Sequence, residues 1–432
     1  MLPRIDPPLR PKAALVALAA IATLAPGAAK AIEPAAVVSN YADIARAGYT
    51  DSLATAEALD NAIRDFLAAP SADGLETARR AWLAARVPYQ QTEAYRFGNV
   101  LVDEWEGKVN AWPLDEGLID YVDGDTYGDS SDSNAWYTAN IIADPMLHVG
   151  GQSIDATVID ADLIRSLHEI DAIEANVSTG YHAIEFLLWG QDLNGTGPGA
   201  GERPWTDYAR DDACTGGNCD RRAAYLEAAS ELLVADLADM VALWGDDGAA
   251  RTTLTEADPA NGIAAMLIGM GSLSYGELAG ERMQLGLLLH DPEEEHDCFS
   301  DNTHNSHYYD GLGIQNVYLG RYERVDGSVV EGPALADLVA EADLDLDAEI
   351  RARLDATMAA LGAIKAEADS GGMAYDQMIG EGNEAGNALV QRAIDALVDQ
   401  TRSIERAVAV LDLSDVEFEG SDSLDQPGAV FQ

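Results

Sequence analysis

The sequence predicts an all-α fold of two helical bundles, resembling four-helix bundles, with long decorated loops. Stretches near both ends of the chain repeat apolar residues with the 3.6-residue period of an α-helix. No alternating strand pattern of any length occurs. Because the roughly 400 residues expected in the mature chain exceed what one hydrophobic core usually supports, two domains are expected. We place the N-terminal bundle at residues 32–210, the C-terminal bundle at residues 211–413 and an acidic tail at residues 414–432.

The first 31 residues are typical of a secretory signal peptide. Three basic side chains precede a short apolar run at residues 13–25, and Ala29-Lys30-Ala31 forms a small-x-small cleavage site. The apolar run is too short to span a membrane. We therefore expect export of the chain to a bacterial periplasm.

The acidic composition limits the classes of partner. The chain contains 75 Asp and Glu against 26 Lys and Arg, which gives a formal net charge of −49. A nucleic-acid partner is excluded, because neutralising phosphates requires positive charge. Repulsion between the acidic protein and anionic lipids also argues against docking on an anionic membrane surface. Such an excess favours solubility and concentrates cations near the protein surface.

Two long helices open the N-terminal bundle. The first is predicted at residues 37–69. Ser71 caps the second, at residues 72–97, where Pro88 predicts a kink or a local break. Residues 98–151 are irregular and rich in turn chemistry. A loop of this length inside a compact domain is usually functional or packed over a site.

The C-terminal bundle is predicted as an antiparallel set of helices at residues 226–244, 262–289, 334–361 and 384–413. The second of these carries four glycines that suggest close helix–helix contact: Gly269, Gly271, Gly276 and Gly280. The acidic tail that follows, from Ser414, is expected to be mobile.

Three cysteines remain in the chain. Cys214 and Cys219 are close in sequence, and in an oxidising compartment they most plausibly form a disulfide. A thiolate metal pair is the alternative. We assign no chemistry to Cys298.

A short apolar stretch at residues 179–190 carries one imidazole and one carboxylate, His182 and Glu185. Positions i and i+3 share one face of a helix, so both side chains can point at one target. A nitrogen and an oxygen ligand on a rigid element suit a transition metal. The alternative is a half-buried histidine whose N–H is accepted by the neighbouring Glu185.

A second polar cluster follows the 262–289 helix. Four of the seven histidines lie between His290 and His307, among carboxylates. Such density favours metal coordination, whereas a polar loop that caps helix ends is an equal alternative. Hydrolase, phosphate-loop and dinucleotide motifs do not occur, so no local motif supports a hydrolase.

Four segments together resemble the imelysin-like proteins, in particular the branch called iron-regulated protein A. They are Gln91–Gly98, Asn110–Glu116, Gly180–Glu185 and Phe299–His304, within a resemblance that spans residues 35–412. The resemblance implies a periplasmic or surface protein of two bundles, associated with iron acquisition. The family is nominally one of metallopeptidases, and its Gly-x-His-x-x-Glu signature corresponds to Gly180, His182 and Glu185.

This resemblance leads to an expected metal site. His182 and Glu185 would supply two ligands from one helix, and Glu93 would supply an oxygen from across the bundle. Iron is the expected metal, with manganese or zinc as alternatives. Further side chains would line the site or orient its ligands: Arg96, Asp115, Glu116, Asp301 and His304. An intrahelical ion pair is the alternative role of Glu93 and Arg96.

The sequence is compatible with three functions. The leading hypothesis is a periplasmic protein that binds iron without turnover and works with an outer-membrane or periplasmic iron-uptake component. The second is a metal-dependent peptidase, with Glu185 as a ligand or general base. The third is a module that recognises a protein or a siderophore, in which His182 only packs.

Overall fold

A computed structural model describes residues 31–431, and within that range the prediction of an all-α fold is confirmed. The chain is 63% helical, and only two small antiparallel sheets accompany the helices in the described part. Residues 1–30, which carry most of the expected signal peptide, lie outside the described residues.

The helices and strands have the following bounds. The α-helices are α1 Pro34–Ala68, α2 Ala72–Gln90, α3 Val100–Asn110, α4 Ala161–Leu167, α5 Gly180–Trp189, α6 Cys219–Leu243, α7 Ala249–Thr255, α8 Pro259–Ser272, α9 Leu285–Leu289, α10 Thr303–Leu319, α11 Leu335–Ala342, α12 Leu344–Asp369, α13 Tyr375–Ile379, α14 Glu384–Val410 and α15 Asp422–Asp425. A π-helical segment, Leu273–Gln284, joins α8 to α9. The strands are β1 Met146–Val149, β2 Gln152–Asp155, β3 Arg321–Glu323 and β4 Val329–Glu331.

Short 3-10 turns connect several of these elements, at Glu93–Tyr95, Glu116–Leu118, Ile170–Ala172, Trp205–Tyr208, Asp211–Ala213, Pro292–Glu294 and Ala429–Phe431. The turn at Glu93–Tyr95 replaces the end of the second predicted helix. Pro88 lacks the N–H that would continue the helical hydrogen bonding, and α2 ends two residues later. Glu93 and Arg96 therefore do not lie on a regular α-helix, in contrast to the prediction.

The region at residues 98–151 is more ordered than its composition suggested. It begins with α3, whose residues Val102, Trp105 and Val109 are buried at helical spacing. The Trp105 Nε1–H donates to the Asp236 carbonyl at 3.0 Å, which fixes α3 against α6. The irregular part begins only after Asn110.

Helices from both halves of the chain pack together. Helix α1 lies against α2 and against α6, α12 lies against α14, and α10 contacts both α2 and α12. Residues Ile32–Gln432 form one compact unit. These contacts describe packing rather than evolutionary or folding domains, so the division near residue 210 stays a prediction.

The long helical run Pro259–Leu289 lies in the core and also receives the C-terminal tail. By length and composition it could cross a membrane, but 78% of its most apolar window is buried inside the protein, as in a core helix. A Cβ atom on Gly271 would lie 2.5 Å from the Phe418 ring, and the Ser423 hydroxyl donates to the Gly280 carbonyl at 2.9 Å. The expectation of a helix contact at Gly271 is thus wrong, because the tail segment at residues 418–425 packs here. The mobility of the tail stays a prediction.

The two cysteines expected to pair are bonded in the structure. Cys214 and Cys219 form a disulfide whose Cα atoms are 6.1 Å apart, at the start of α6. Cys298 is free and half-buried.

Candidate metal centre

The signature helix α5 is placed by its first residue. Gly180 has a φ of +82°, and a Cβ atom there would lie 2.6 Å from the carbonyl carbon of Val109, at the end of α3. Only glycine combines this backbone conformation with so close an approach. Every residue of α5 is buried, so His182 and Glu185 are held at the centre of the protein.

His182 and Glu185 contact each other directly. The His182 Nδ1 lies 3.1 Å from the Glu185 Oε2. The other carboxylate oxygen, Oε1, accepts from the Ser300 backbone N–H at 3.0 Å and from the Ser300 hydroxyl at 2.6 Å. Both oxygens of Glu185 are therefore engaged, and the contact proposed as the alternative to metal ligation is present.

Two further side chains approach His182 from the segment before α10. The rings of His182 and His296 meet edge to face, with centroids 4.8 Å apart. The Asp297 Oδ1 lies 3.9 Å from the His182 Nδ1. Within the described part of the chain, one ligand atom each from His182, His296 and Asp297 lie within 4.8 Å of one another, which is close enough to share a metal ion.

Asp297 is fixed by a buried network. Arg86 Nη2 donates to its Oδ1 at 2.7 Å, and both side chains are almost fully buried. Its Oδ2 accepts from Asn302 Nδ2 at 2.7 Å and from the Ser306 hydroxyl. The Arg86 guanidinium holds the pKa of Asp297 below its usual range despite the opposing effect of burial, so Asp297 remains a carboxylate.

The two histidines each retain a nitrogen without a partner. The His182 Nε2 and the His296 Nδ1 are buried and have no hydrogen-bond partner among the described residues. Burial lowers the pKa of His182 to about 3 and that of His296 well below its usual range. Both imidazoles are therefore neutral at ordinary pH. A neutral imidazole with a free nitrogen is the form that binds a metal ion.

Glu93 lies in a separate ionic network. Its Oε2 accepts from Arg282 Nη2 at 2.9 Å, and Arg282 Nη1 donates to Asp310 Oδ2 at the same distance. Arg282 reaches both groups from the π-helical segment. Arg96 pairs with Asp103 at 2.9 Å rather than with Glu93. The structure thus does not place Glu93 or Arg96 with His182, and the ligand role of Glu93 stays a prediction without a supporting contact.

The loop residues expected to line the site have other partners and do not contact His182. Asp115 is half-buried and accepts from Asn134 Nδ2 at 2.5 Å. Burial, together with the nearby Glu293, raises the pKa of Glu116 to about 8. His304 Nε2 lies 3.3 Å from Asp369 Oδ1, so it pairs with α12. Of these residues none belongs to the group around His182.

Asp301 has a φ of +54° and a carboxyl pKa raised to about 7, first by burial and then by Asp192. Its Oδ1 has no hydrogen-bond partner among the described residues. The residues that do join His182, namely His296 and Asp297, stand in the same polar run of the sequence. The sequence shows a high density of His and Asp in this run, but that density does not indicate which of these side chains point towards His182.

A cavity of about 290 Å³ leads to His296 from the surface. Its wall carries two arginines, Arg96 and Arg282, and five glutamates: Glu106, Glu169, Glu174, Glu277 and Glu281. The predominance of carboxylates makes this an approach that favours cations over anions.

Comparisons with known proteins place the chain in a family. The sequence profile of the imelysin family (Peptidase_M75) matches residues 45–404. A protein of Synechococcus elongatus named iron-regulated protein A is 33% identical over 111 residues, which cover 25% of this chain and only 31% of that relative. A crystal structure from Parabacteroides distasonis, named for a precursor of iron-regulated protein A, covers 89% of this chain and 97% of its own, at 21% identity and a TM-score of 0.63. The last similarity shows a shared fold. This chain belongs to the imelysin family.

Proposed function

We propose that this protein binds a transition-metal ion, most readily iron, through His182, His296 and Asp297. One observation carries the proposal: two neutral, buried imidazoles each keep a nitrogen without a partner among the described residues, and one ligand atom each from His182, His296 and Asp297 lie within 4.8 Å of one another. An unpartnered buried polar atom costs about 1–3 kcal/mol, and a metal ion would satisfy both of these nitrogens beside the Asp297 carboxylate. The residues present therefore fit a metal ion.

The donor set favours particular metals. Two imidazole nitrogens and one carboxylate oxygen suit Fe(II), Mn(II) or Zn(II), whereas Cu(I) prefers thiolates. Cys298 does not belong to the group, and burial raises the pKa of its thiol well above the usual value. When bound, the ion would be held in a water-poor cleft. The chain's own part is to present the two nitrogens in fixed orientations.

Glu185 serves in this arrangement as the residue that orients His182. Its contact with Nδ1 leaves Nε2 as the nitrogen for the metal. A carboxylate behind a metal-binding histidine is the usual second partner in such sites. Ser300 in turn holds the carboxylate. The contact expected of a merely structural histidine is thus compatible with a metal role.

Iron is favoured over the other metals by the relatives. Both the Synechococcus protein and the Parabacteroides structure are named for iron regulation. Because the first match covers only 31% of that relative, its role reaches this chain as a proposal. The Parabacteroides protein is named as a precursor, which agrees with export to the periplasm. A role in iron acquisition with an outer-membrane or periplasmic uptake component completes the proposal.

A metal-dependent peptidase is the second candidate, because the family profile carries a peptidase name. The geometry supports it less. A general base must reach the proton that it removes, yet both oxygens of Glu185 are occupied by His182 and Ser300. We therefore favour binding without turnover.

Calorimetry with metal-free protein tests the proposal. Anaerobic titration with Fe(II), Mn(II) and Zn(II) should give one saturable site in the wild type. His182→Ala and His296→Ala should each weaken binding by about 100-fold or more, since a ligand matters more than the partner behind it, whose loss costs roughly 10–100-fold. His148→Ala, at an exposed histidine on β1, is the matched control and should bind like the wild type. Equal affinity in all three variants would refute the proposal.

A further inference from the structure

A small cavity beside the loop that precedes α10 is lined mainly by carboxylates. It measures about 10 Å³, close to the roughly 10–15 Å³ that a cavity needs to hold one water molecule. Its wall contains Glu116, Asp192, Glu293, Glu295 and Cys298, with Pro292 and Phe299. Among these described lining residues, none is basic. The cavity therefore has room for a single small ion. The charged side chains that line it are all acidic.

Burial makes this grouping costly. Glu295 is 1% exposed, and its Oε2 has no hydrogen-bond partner among the described residues. Glu116 is also buried, Asp192 is half-buried and Glu293 lies at the exposed rim. A buried carboxylate with an unpartnered oxygen is unfavourable unless something positive or proton-donating meets it.

The carboxylates also act on one another. After burial, the Glu293 charge is the largest cause of the raised pKa of Glu116. Burial and the Asp291 and Asp192 charges raise the pKa of Glu293 to about 7. The Asp192 charge also acts on Glu295. Mutual repulsion of this kind is relieved when a cation binds.

This cluster is distinct from the candidate metal centre. The carboxylate there, Asp297, is neutralised by Arg86 at 2.7 Å. Glu295 is next to His296 in sequence, but its charged neighbours are Asp376, Asp301 and Asp192. The two sites would also select differently, because one offers imidazole nitrogen and the other offers carboxylate oxygen.

We propose that the cavity lined by Glu116, Asp192, Glu293 and Glu295 is a second cation site, specific for a hard divalent ion of the calcium class. Oxygen donors without nitrogen are the ligands that such ions prefer. The small volume leaves no space for an organic cation. This site uses none of the residues of the proposed function.

A neighbouring cavity supplies access and water. It measures about 420 Å³ and shares Glu116, Asp192 and Glu293 with the small one. Calcium takes six to eight oxygen ligands, so water from this side would complete the set. One tryptophan and two tyrosines, Trp112, Tyr127 and Tyr137, also line the larger cavity. They lie where they can transfer excitation to a luminescent lanthanide in the site.

Terbium luminescence tests this proposal. Metal-free protein is titrated with Tb³⁺, a luminescent substitute for calcium, in about 0.5 M salt, which screens exposed carboxylates. We expect one saturable site whose emission is sensitised by the protein and displaced by Ca²⁺. Glu295→Gln and Glu293→Gln should each lower the Tb³⁺ affinity by about ten-fold or more. Glu381→Gln, at an exposed glutamate, and His182→Ala should leave it unchanged.

Two outcomes would overturn the proposal. Equal affinity in wild type, Glu293→Gln and Glu295→Gln would mean diffuse binding to the acidic surface only. Loss of the signal in His182→Ala would assign it to the candidate metal centre. Glu293 is exposed, so its variant should fold, and melting curves with and without Ca²⁺ check this. The wild type should be stabilised by Ca²⁺, and the Glu293→Gln variant should lose that shift.

Discussion

The His182 Nδ1 lies 3.1 Å from the Glu185 Oε2, while Ser300 holds the opposite carboxylate oxygen. The two residues of the family signature are therefore not equivalent. His182 keeps an Nε2 that has no hydrogen-bond partner in the described part of the chain, and Glu185 fixes the ring that carries it. This division of roles, together with the network that surrounds the two residues, determines how substitutions here should act.

Replacing Glu185 should weaken metal binding without removing it. In Glu185→Gln the amide nitrogen is a donor, so the side chain cannot accept from both His182 and Ser300. We expect the affinity for Fe(II) to fall roughly 10–100-fold, as for other partners behind metal-binding histidines. Anaerobic calorimetry measures this. Glu174→Gln, at an exposed carboxylate in the wall of the cavity that leads to His296, removes the same charge and serves as control. Wild-type affinity in Glu185→Gln would contradict the orienting role.

Removing Arg86 should destabilise the fold. Arg86→Met leaves the buried Asp297 carboxylate without its main counter-charge, which typically costs about 3–5 kcal/mol. Urea denaturation measures the free energy of unfolding. The double variant Arg86→Met/Asp297→Asn should recover part of this loss, because no uncompensated charge remains. A double variant as unstable as Arg86→Met would show that packing, rather than charge, dominates at this position.

Gly180 should be intolerant of a side chain for two separable reasons. Gly180→Ala forces a Cβ atom onto the Val109 carbonyl and also strains a backbone at φ +82°. Gly151 has nearly the same φ, +83°, but no atom of the described residues outside its immediate chain neighbours lies within 4 Å of the new Cβ. Gly151→Ala should therefore cost about 1 kcal/mol, the cost of a left-handed backbone alone. Gly180→Ala should cost more than 3 kcal/mol, a typical upper value for one strained residue. Equal melting temperatures of the two variants would contradict the close contact with α3.

His307 should make the protein sensitive to acid. It is fully buried with both nitrogens unpartnered among the described residues, and burial lowers its pKa from 6.5 to about 3. Below pH 6.5 the unfolded chain therefore binds a proton that the folded chain does not. The contribution to stability is complete above pH 6.5 and is lost on acidification, by about 2–3 kcal/mol at about pH 4.5.

His307→Phe keeps the ring contact with Tyr375, whose centroid is 4.8 Å away, and removes the titrating group. The free energy of unfolding of this variant should fall less between about pH 7 and pH 4.5 than that of the wild type. The difference between the two slopes isolates His307 from the carboxyl groups, whose raised pKa values act in the opposite direction. Parallel pH profiles would contradict the buried neutral state of His307.

The sequence alone predicts the all-α fold class and, within the candidate site, the pairing of His182 with Glu185. The i, i+3 spacing of His182 and Glu185 follows from local helix geometry, and the structure retains it. His296 and Asp297 depend on how a distant loop folds against α5, which no local pattern encodes. The structure does not bring Glu93 to His182, because Pro88 ends α2 early and because Arg282 binds Glu93 from the π-helical segment.

The acidic tail illustrates the same limit. The glycines of the Pro259–Leu289 run predicted a close approach, which the structure contains. Their partner at Gly271 is Phe418 of the tail rather than a helix. Small residues reveal that something packs closely, but they do not reveal what it is.

X-ray absorption at the iron edge of Fe(II)-loaded protein tests the central claim most directly. Imidazole ligands give a characteristic outer-shell scattering, so their number can be counted. We predict two imidazoles in the wild type and one in either His182→Ala or His296→Ala, with unchanged scattering in His148→Ala. A shell of oxygen atoms alone, or an imidazole count that survives both substitutions, would contradict a metal centre at His182 and His296.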